Sequence, residues 1–494
     1  MYRRPLPRFD MSPLRWHALV LIAAAMALAA IDRAALESMV LLARDTLHLS
    51  DNGVVVAEQA VGLGFALALP LGAVLVYLLG PRQVLWWGGI GCALATTCMG
   101  FAFNLGGAIL FYLWLGVAAG SLPAAAIVSV IRWFPVSQRG AVTGALVAVG
   151  SIAEAVFWVA MADFDVRRLP MEAFVFLGLL GALWAFAWRR WYPSSRRITI
   201  VVTPPPLAED IGEDGTATPA FVPVPPRVVD EDMSDVAVPL KPVIERGWPL
   251  ALYAFIQAYG VGLCRDWLPA ELLARWHKDI LSDFNVTIIG NLALGAGCLL
   301  GGVLTDRCVG HSHNVTSARQ SIIAFGFLGA ALALIPMATA MMVPQVILWQ
   351  VVTYIFLGIT AASIWCLALD IAPVAPAPLA ACVAAGYGLA LGLSPESLGH
   401  LVGWWVPAFL GGALLLGGTV GIFFLEPGRP LLDTMEPVIP LSVPDEPLEP
   451  MVLETETAKA YAAMRAEREW EAQPMDDDEL LASLRSQGLI KSPR

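Results

Sequence analysis

Leu41-Leu42-Ala43-Arg44, followed by Leu49-Ser50-Asp51, returns as Leu272-Leu273-Ala274-Arg275, followed by Leu281-Ser282-Asp283, at an offset of 231–232 residues. The same offset carries Asp32-Arg33 almost onto Arg265-Asp266, and it brings Gly72 near Gly302. In both copies the repeated tetrapeptide closes a long apolar run, and a second apolar run opens just after it. The chain therefore reads as two related halves, and each half is built from hydrophobic segments.

Working outward, the composition says what those segments are. Of 494 residues, 57% are hydrophobic and only 14% charged, with 44 Gly, 20 Phe and 17 Trp. Soluble domains carry about 25% charged residues, so this chain needs an apolar solvent, and mean hydropathy (+0.68) agrees. A soluble enzyme, a secreted disulfide scaffold and a nucleic-acid binder are excluded. A bilayer core about 30 Å thick takes about 20 apolar residues per helical crossing. On that scale twelve spans are predicted, near 16–43, 53–79, 83–103, 106–131, 140–162, 171–192, 248–274, 284–305, 319–341, 344–369, 375–393 and 402–425. The expected fold is all-α: twelve transmembrane helices in two pseudo-symmetric six-helix bundles. Residues 1–15 form a cytoplasmic N-terminus, 16–192 the first bundle, 193–247 a linker, 248–425 the second bundle and 426–494 an acidic tail. Two parallel six-helix repeats are one architecture of secondary transporters.

Net charge is −11, and its placement matters. Residues 193–248 hold nine acids, five bases and ten Pro, while 427–494 hold fourteen acids and seven bases. The linker composition cannot bury a core and reads as disordered. Lys and Arg flanking the spans fall fifteen on the side of the N-terminus and five on the other (Arg44, Arg167, Arg168, Arg275, Lys278). The positive-inside rule then puts both termini and the linker in the cytoplasm. Arg3, Arg4 and Arg8 before an apolar run resemble a cleaved leader, but the repeat makes the first span the counterpart of the seventh and argues that it is retained. The seven Cys show neither disulfide nor zinc spacing and read as packing residues.

Ionisable residues at membrane depth cost roughly 2.5–3.5 kcal/mol each and mark cavities, partners or function. The first span carries Asp32, Arg33 and Glu37, the fifth Glu154, and the seventh Arg265, Asp266 and Glu271. Neighbours on a helix diverge by about 100°, so Asp32 and Arg33 face different ways. The Asp32-Arg33 and Arg265-Asp266 pairs are expected to meet across the interface of the halves. There Arg33 and Arg265 would hold a carboxylate or phosphate by paired hydrogen bonds. Asp32, Asp266 and Glu154 are the candidates for ion coupling. Glu154 has no cation near it in sequence, and proton binding or a simple helix contact would both explain it. Gln257, Tyr259 and Asn291 are candidate neutral contacts to the substrate, with interhelical packing as the alternative.

Gly301-Gly302-Val303-Leu304-Thr305-Asp306-Arg307 ends the eighth span. It resembles the cytoplasmic-loop motif of the major facilitator superfamily. The resemblance implies that the glycines allow close helix approach, that Asp306 caps a neighbouring helix, and that Arg307 pairs with it to steady the outward-open state. The first half keeps Gly72, Gly80 and Arg82 but has Tyr77 in the Asp position. Further motifs are similar to the organic anion:cation symporter branch, which includes sugar-acid and phthalate carriers. These are Asp32-Arg33 on the first helix, Arg132-Trp133-Phe134-Pro135 with Arg139-Gly140 and Gly144 after the fourth, and Asp370-Ile371-Ala372-Pro373 after the tenth. The resemblance adds Arg132 and Arg139 to Asp306 and Arg307 as gating residues. The Arg and Glu that this branch uses on its fourth helix would fall near Tyr112 and Ala119, so both are absent here.

His311-Ser312-His313 offers two ligands and no third, so no metal site is expected, and no cofactor. Residues 454–471 and 477–487 have amphipathic spacing, with Leu480, Leu481 and Leu484 on one face. Either a solvated tail or a cytoplasmic protein partner docking through 454–490 follows. The reading is a cell-membrane secondary transporter, not an enzyme. It moves a small organic anion, a carboxylate, by alternating access driven by a proton or sodium gradient. The alternative is a transport-inactive receptor or assembly factor on the same fold, acting through its tail.

Overall fold

In hydrocarbon a backbone must satisfy its own hydrogen bonds, which leaves helices as the open solution for a chain of long apolar runs. The computed structural model describes residues 14–46, 51–101, 105–162, 171–192, 240–267, 284–312, 314–372, 376–393, 395 and 405–424, and all regular structure among them is helical. The helices of the first half are α1 (Leu14–Thr46), α2 (Asp51–Leu79), α3 (Pro81–Met99), α4 (Leu105–Gly120), α5 (Leu122–Trp133), α6 (Val136–Ala162) and α7 (Met171–Trp191). Those of the second are α8 (Leu240–Gly262), α9 (Phe284–His311), α10 (Val315–Ala338), α11 (Val343–Ile371), α12 (Ala377–Gly392) and α13 (Trp405–Phe424). A π-helical turn, Leu263–Trp267, extends α8.

Six apolar stretches among the described residues are long enough to cross a membrane: Arg15–Ala35, Ile109–Ile131, Val136–Ala160, Val286–His311, Val315–Ala338 and Val343–Ile371. The second of these runs through α4 and α5. Their junction is Ser121, whose hydroxyl donates to the Ala118 carbonyl (2.8 Å), and Pro123 follows in the first turn of α5. Pro lacks the N–H that would continue the ladder, so a helix boundary falls there without ending the apolar run. Each of the other sequence-predicted spans contains a described helix, the seventh only as far as Trp267. The protein is an integral membrane protein.

Within the first half α1 packs on α6, α2 on α4, and α3 on α4 and α7; within the second, α9 and α10 pack on α11, α8 on α12, and α10 on α13. The halves meet where α6 lies against α9 and α2 against α12. Small residues allow this: a Cβ on Gly302 would stand 2.5 Å from the Gly140 carbonyl oxygen, so the α6–α9 contact is backbone against backbone. Large apolar side chains such as Leu179, Phe186 and Phe409 point outward, the inverse of a soluble protein and the expected state of a lipid-facing surface.

Two boundaries differ from the sequence expectation. The fourth span is two helices rather than one. α8 begins at Leu240, inside the stretch assigned to the linker, where Lys241 and Glu245 form an i,i+4 pair at 3.9 Å. Residues 193–239 of the linker, the tail with 454–490, Arg167, Arg168, Glu271, Arg275 and Lys278 lie outside the described residues, as do the side chains of Glu37, Arg44, Glu58, Arg132 and Asp266.

Candidate functional site

Charged side chains gather at two levels. The first is set by α1, α6 and the turn that extends α8. Asp32 and Arg33 diverge as adjacent helical residues must. Asp32 is buried and lies near Cys92 and Thr96 of α3, while Arg33 reaches the other way, to α6. There its Nη2 donates to Glu154 Oε2 at 2.5 Å. Arg265, from the other half, reaches the second oxygen of the same carboxylate: Nη2 to Oε1, 3.4 Å. Asn291 of α9 lies beside Glu154. Glu154 thus joins guanidinium groups from both halves.

Exposure differs usefully across the trio. The Glu154 side chain is 4% exposed, against 29% for Arg33 and 36% for Arg265. The carboxylate is sealed, while both guanidinium groups keep part of their surface open. The local fold explains why Arg265 arrives here. In a π turn the hydrogen bonds run i to i+5, which shifts the register and leaves a carbonyl without its usual donor. The Cys264 carbonyl in this turn accepts from Gln350 Nε2 of α11 at 3.1 Å. Such turns are frequent at functional sites.

Of the expected meeting of Asp32-Arg33 with Arg265-Asp266, Asp32 lies towards α3 and the Asp266 side chain is outside the described residues. The two arginines do converge across the halves, but on Glu154, the residue that looked isolated in sequence; its partners lie 121 and 111 positions away along the chain. Gln257 and Tyr259 make the interhelical contacts of the packing reading. Both are buried, and each reaches a backbone carbonyl of its own half, Gln257 that of Leu357 and Tyr259 that of Pro407, at 3.5 Å. Among the three neutral candidates, only Asn291 lies at the cluster.

The second level is where α6 starts and α9 ends. Pro135 forces Phe134 into extended backbone (φ −128°, ψ 137°), which separates α5 from α6 and starts a fresh helix. Asp306 accepts from the Gly140 N–H (2.8 Å) and the Ala141 N–H (2.7 Å) in the early turns of α6, where the helix dipole favours an anion. Arg139 donates through Nη1 to Asp370 Oδ1 (3.0 Å) and through Nε to the Phe134 carbonyl (3.3 Å). Arg319, fully buried, donates through Nε to the other Asp370 oxygen. Thr305 and Ser363 hydroxyls pair at 2.8 Å behind them. The expected capping role of Asp306 is matched by this geometry, but its expected partner is not: Arg307 is exposed and makes no ion pair among the described residues. The cations buried at this junction are Arg139 and Arg319, the latter of which in sequence looks like an ordinary charge flanking a span. In the first half Arg82 lies over the Tyr192 ring at 5.7 Å instead of joining an equivalent junction.

Residues 22–394 match the family described as Major Facilitator Superfamily. The chain belongs to that superfamily. A superfamily relative named a probable sulfoacetate transporter, from Cupriavidus necator, is 26% identical over 409 residues, covering 81% of this chain and 91% of the other. The chloroplastic ascorbate transporter of Arabidopsis thaliana is 23% identical over 336 residues, which is 66% of this chain and 58% of that protein. A probable L-galactonate transporter of Escherichia coli is 24% identical over 316 residues, 63% of this chain and 66% of that protein. All three relatives are named for the transport of a small organic anion.

Proposed function

We propose that the protein is a secondary active transporter that carries a small organic anion bearing a carboxylate, in symport with protons. It works by alternating access of twelve helices in two six-helix bundles, in the cell membrane with both termini cytoplasmic. One observation carries the reading: a single sealed carboxylate, Glu154, holds Arg33 from one half and Arg265 from the other. Glu154 occupies the two guanidinium groups as a substrate carboxylate would, so an incoming anion has to replace it. A buried carboxylate stripped of its cations costs several kcal/mol, and a proton taken up by Glu154 removes that cost. Anion entry and proton uptake are then one event, with Asn291 beside it. Asp32 and Asp266, which flank the two arginines in sequence, are secondary coupling candidates. Arg139 and Asp306, holding α6 against the second half, form the gate on the cytoplasmic side; Arg132 is kept as a gating candidate from its motif. The anion-transporting relatives support a carrier over a transport-inactive receptor.

The test is uptake into proteoliposomes, with small labelled carboxylates and sulfonates offered with and without an inward proton gradient. Arg33→Ala and Arg265→Ala lose uptake. Glu154→Gln loses uphill accumulation but keeps exchange of labelled for unlabelled anion, because an amide cannot carry the proton yet leaves the arginines in place. Gradient-driven accumulation in Glu154→Gln overturns the coupling role, and normal uptake in both arginine variants overturns the site.

A further inference from the structure

The outer face of the first half carries a feature that transport does not use. Between α3 and α7 runs a groove of 420 Å³, walled by Ile90, Leu94 and Thr97 on one side and Leu179, Ala182 and Phe186 on the other. It is almost wholly apolar and opens on the outer surface, where Leu179 and Phe186 are more than 60% exposed. Its far end is set by Gly178, which packs so closely on Ala93 and Thr97 that a Cβ there would collide with both.

The near end is cationic. Arg189 lies over the Trp86 ring at 5.3 Å, and that ring is fixed because its Nε1 donates to the Ala185 carbonyl (3.3 Å). Arg190 is exposed next to it, and Arg82 stands at the adjoining end of α3. Neither helix supplies a neutralising acid at this end: α3 contains none, and the one acid of α7, Glu172, is at its opposite terminus. From Trp86 to Thr97 a helix rises about 16 Å, close to half of a hydrocarbon core of about 30 Å. The groove therefore has about the length of one leaflet, an apolar wall on each side, and cations at one end.

We propose that this groove binds an anionic phospholipid of the surrounding bilayer, one acyl chain lying between α3 and α7 and the phosphate resting on Arg189. A planar guanidinium is suited to a phosphate, and the Trp86 ring beside Arg189 holds it at this end of the groove. The apolar walls hold a chain from any phospholipid; the arginine end gives the preference for negative charge.

Native mass spectrometry of the purified full chain tests it, with phosphatidylglycerol and phosphatidylcholine offered at equal concentration. The wild type retains phosphatidylglycerol in preference. Arg189→Gln, at an exposed position, lowers that preference about fivefold, the factor carried by one interfacial cation. Ala182→Phe fills the groove from its open side and reduces retention of both lipids. Equal retention of the two lipids by the wild type, or adduct patterns unchanged in both variants, overturns the assignment.

Discussion

Replacing Arg139 by Met is expected to loosen the junction of the two halves without unfolding either one. Arg139 is buried, and its two donated bonds go to Asp370 across the interface and to the Phe134 carbonyl within its own half. Asp370 keeps Arg319 in the variant, so no buried carboxylate is left without a cation. The loss is that of one hydrogen bond to a charged group, about 1.5–3 kcal/mol, or roughly a tenfold to hundredfold increase in the opening equilibrium. The reporters are already in place. The Gly140 and Ala141 amides donate to Asp306 of the other half, so they exchange with solvent deuterium when α6 parts from α9. Their exchange should accelerate by that factor, while amides of Ala361–Ser363, buried within α11, stay slow. Unchanged exchange at Gly140 and Ala141 would refute the inter-half role of Arg139. Equal acceleration at Ala361–Ser363 would show a general loss of stability instead.

Two further outcomes follow from the same contacts. Gly302→Ala forces a backbone shift where α6 and α9 touch, at a cost of about 1–3 kcal/mol, and should lower the melting temperature followed by intrinsic fluorescence. Gln350→Leu removes the donor to the buried Cys264 carbonyl, and the Gln350 Oε1 it deletes has no partner among the described residues; stability should fall by about 1–3 kcal/mol, and the KM of anion uptake should rise several-fold through misplacement of Arg265.

The parts of the molecule that the sequence displays are those governed by local composition. Apolar length marks the spans, and Gly301-Gly302 with Asp306 shows the close crossing and its cap, because these follow from residue type alone. The exceptions share a cause. Glu154 looks solitary because its arginines are brought to it by tertiary packing from either half. Arg319 looks like a flanking charge until α10 packs on α11 and seals it against Asp370. Gln257 and Tyr259 look free to meet a ligand because their partners are backbone carbonyls, which leave no mark in a sequence. The helix boundary at Ser121 is hidden inside an uninterrupted apolar run.

The π turn Leu263–Trp267 accommodates one residue more per hydrogen-bonded ring than the helix it extends. Deleting a single residue before Arg265 in that turn would restore α geometry and swing the guanidinium by about 100°, away from Glu154 and from any anion bound in its place. Insertion or loss of one codon at this point would thus act as a change of specificity, even with every other lining residue retained. In this turn chain length, and not residue identity alone, sets which way Arg265 faces.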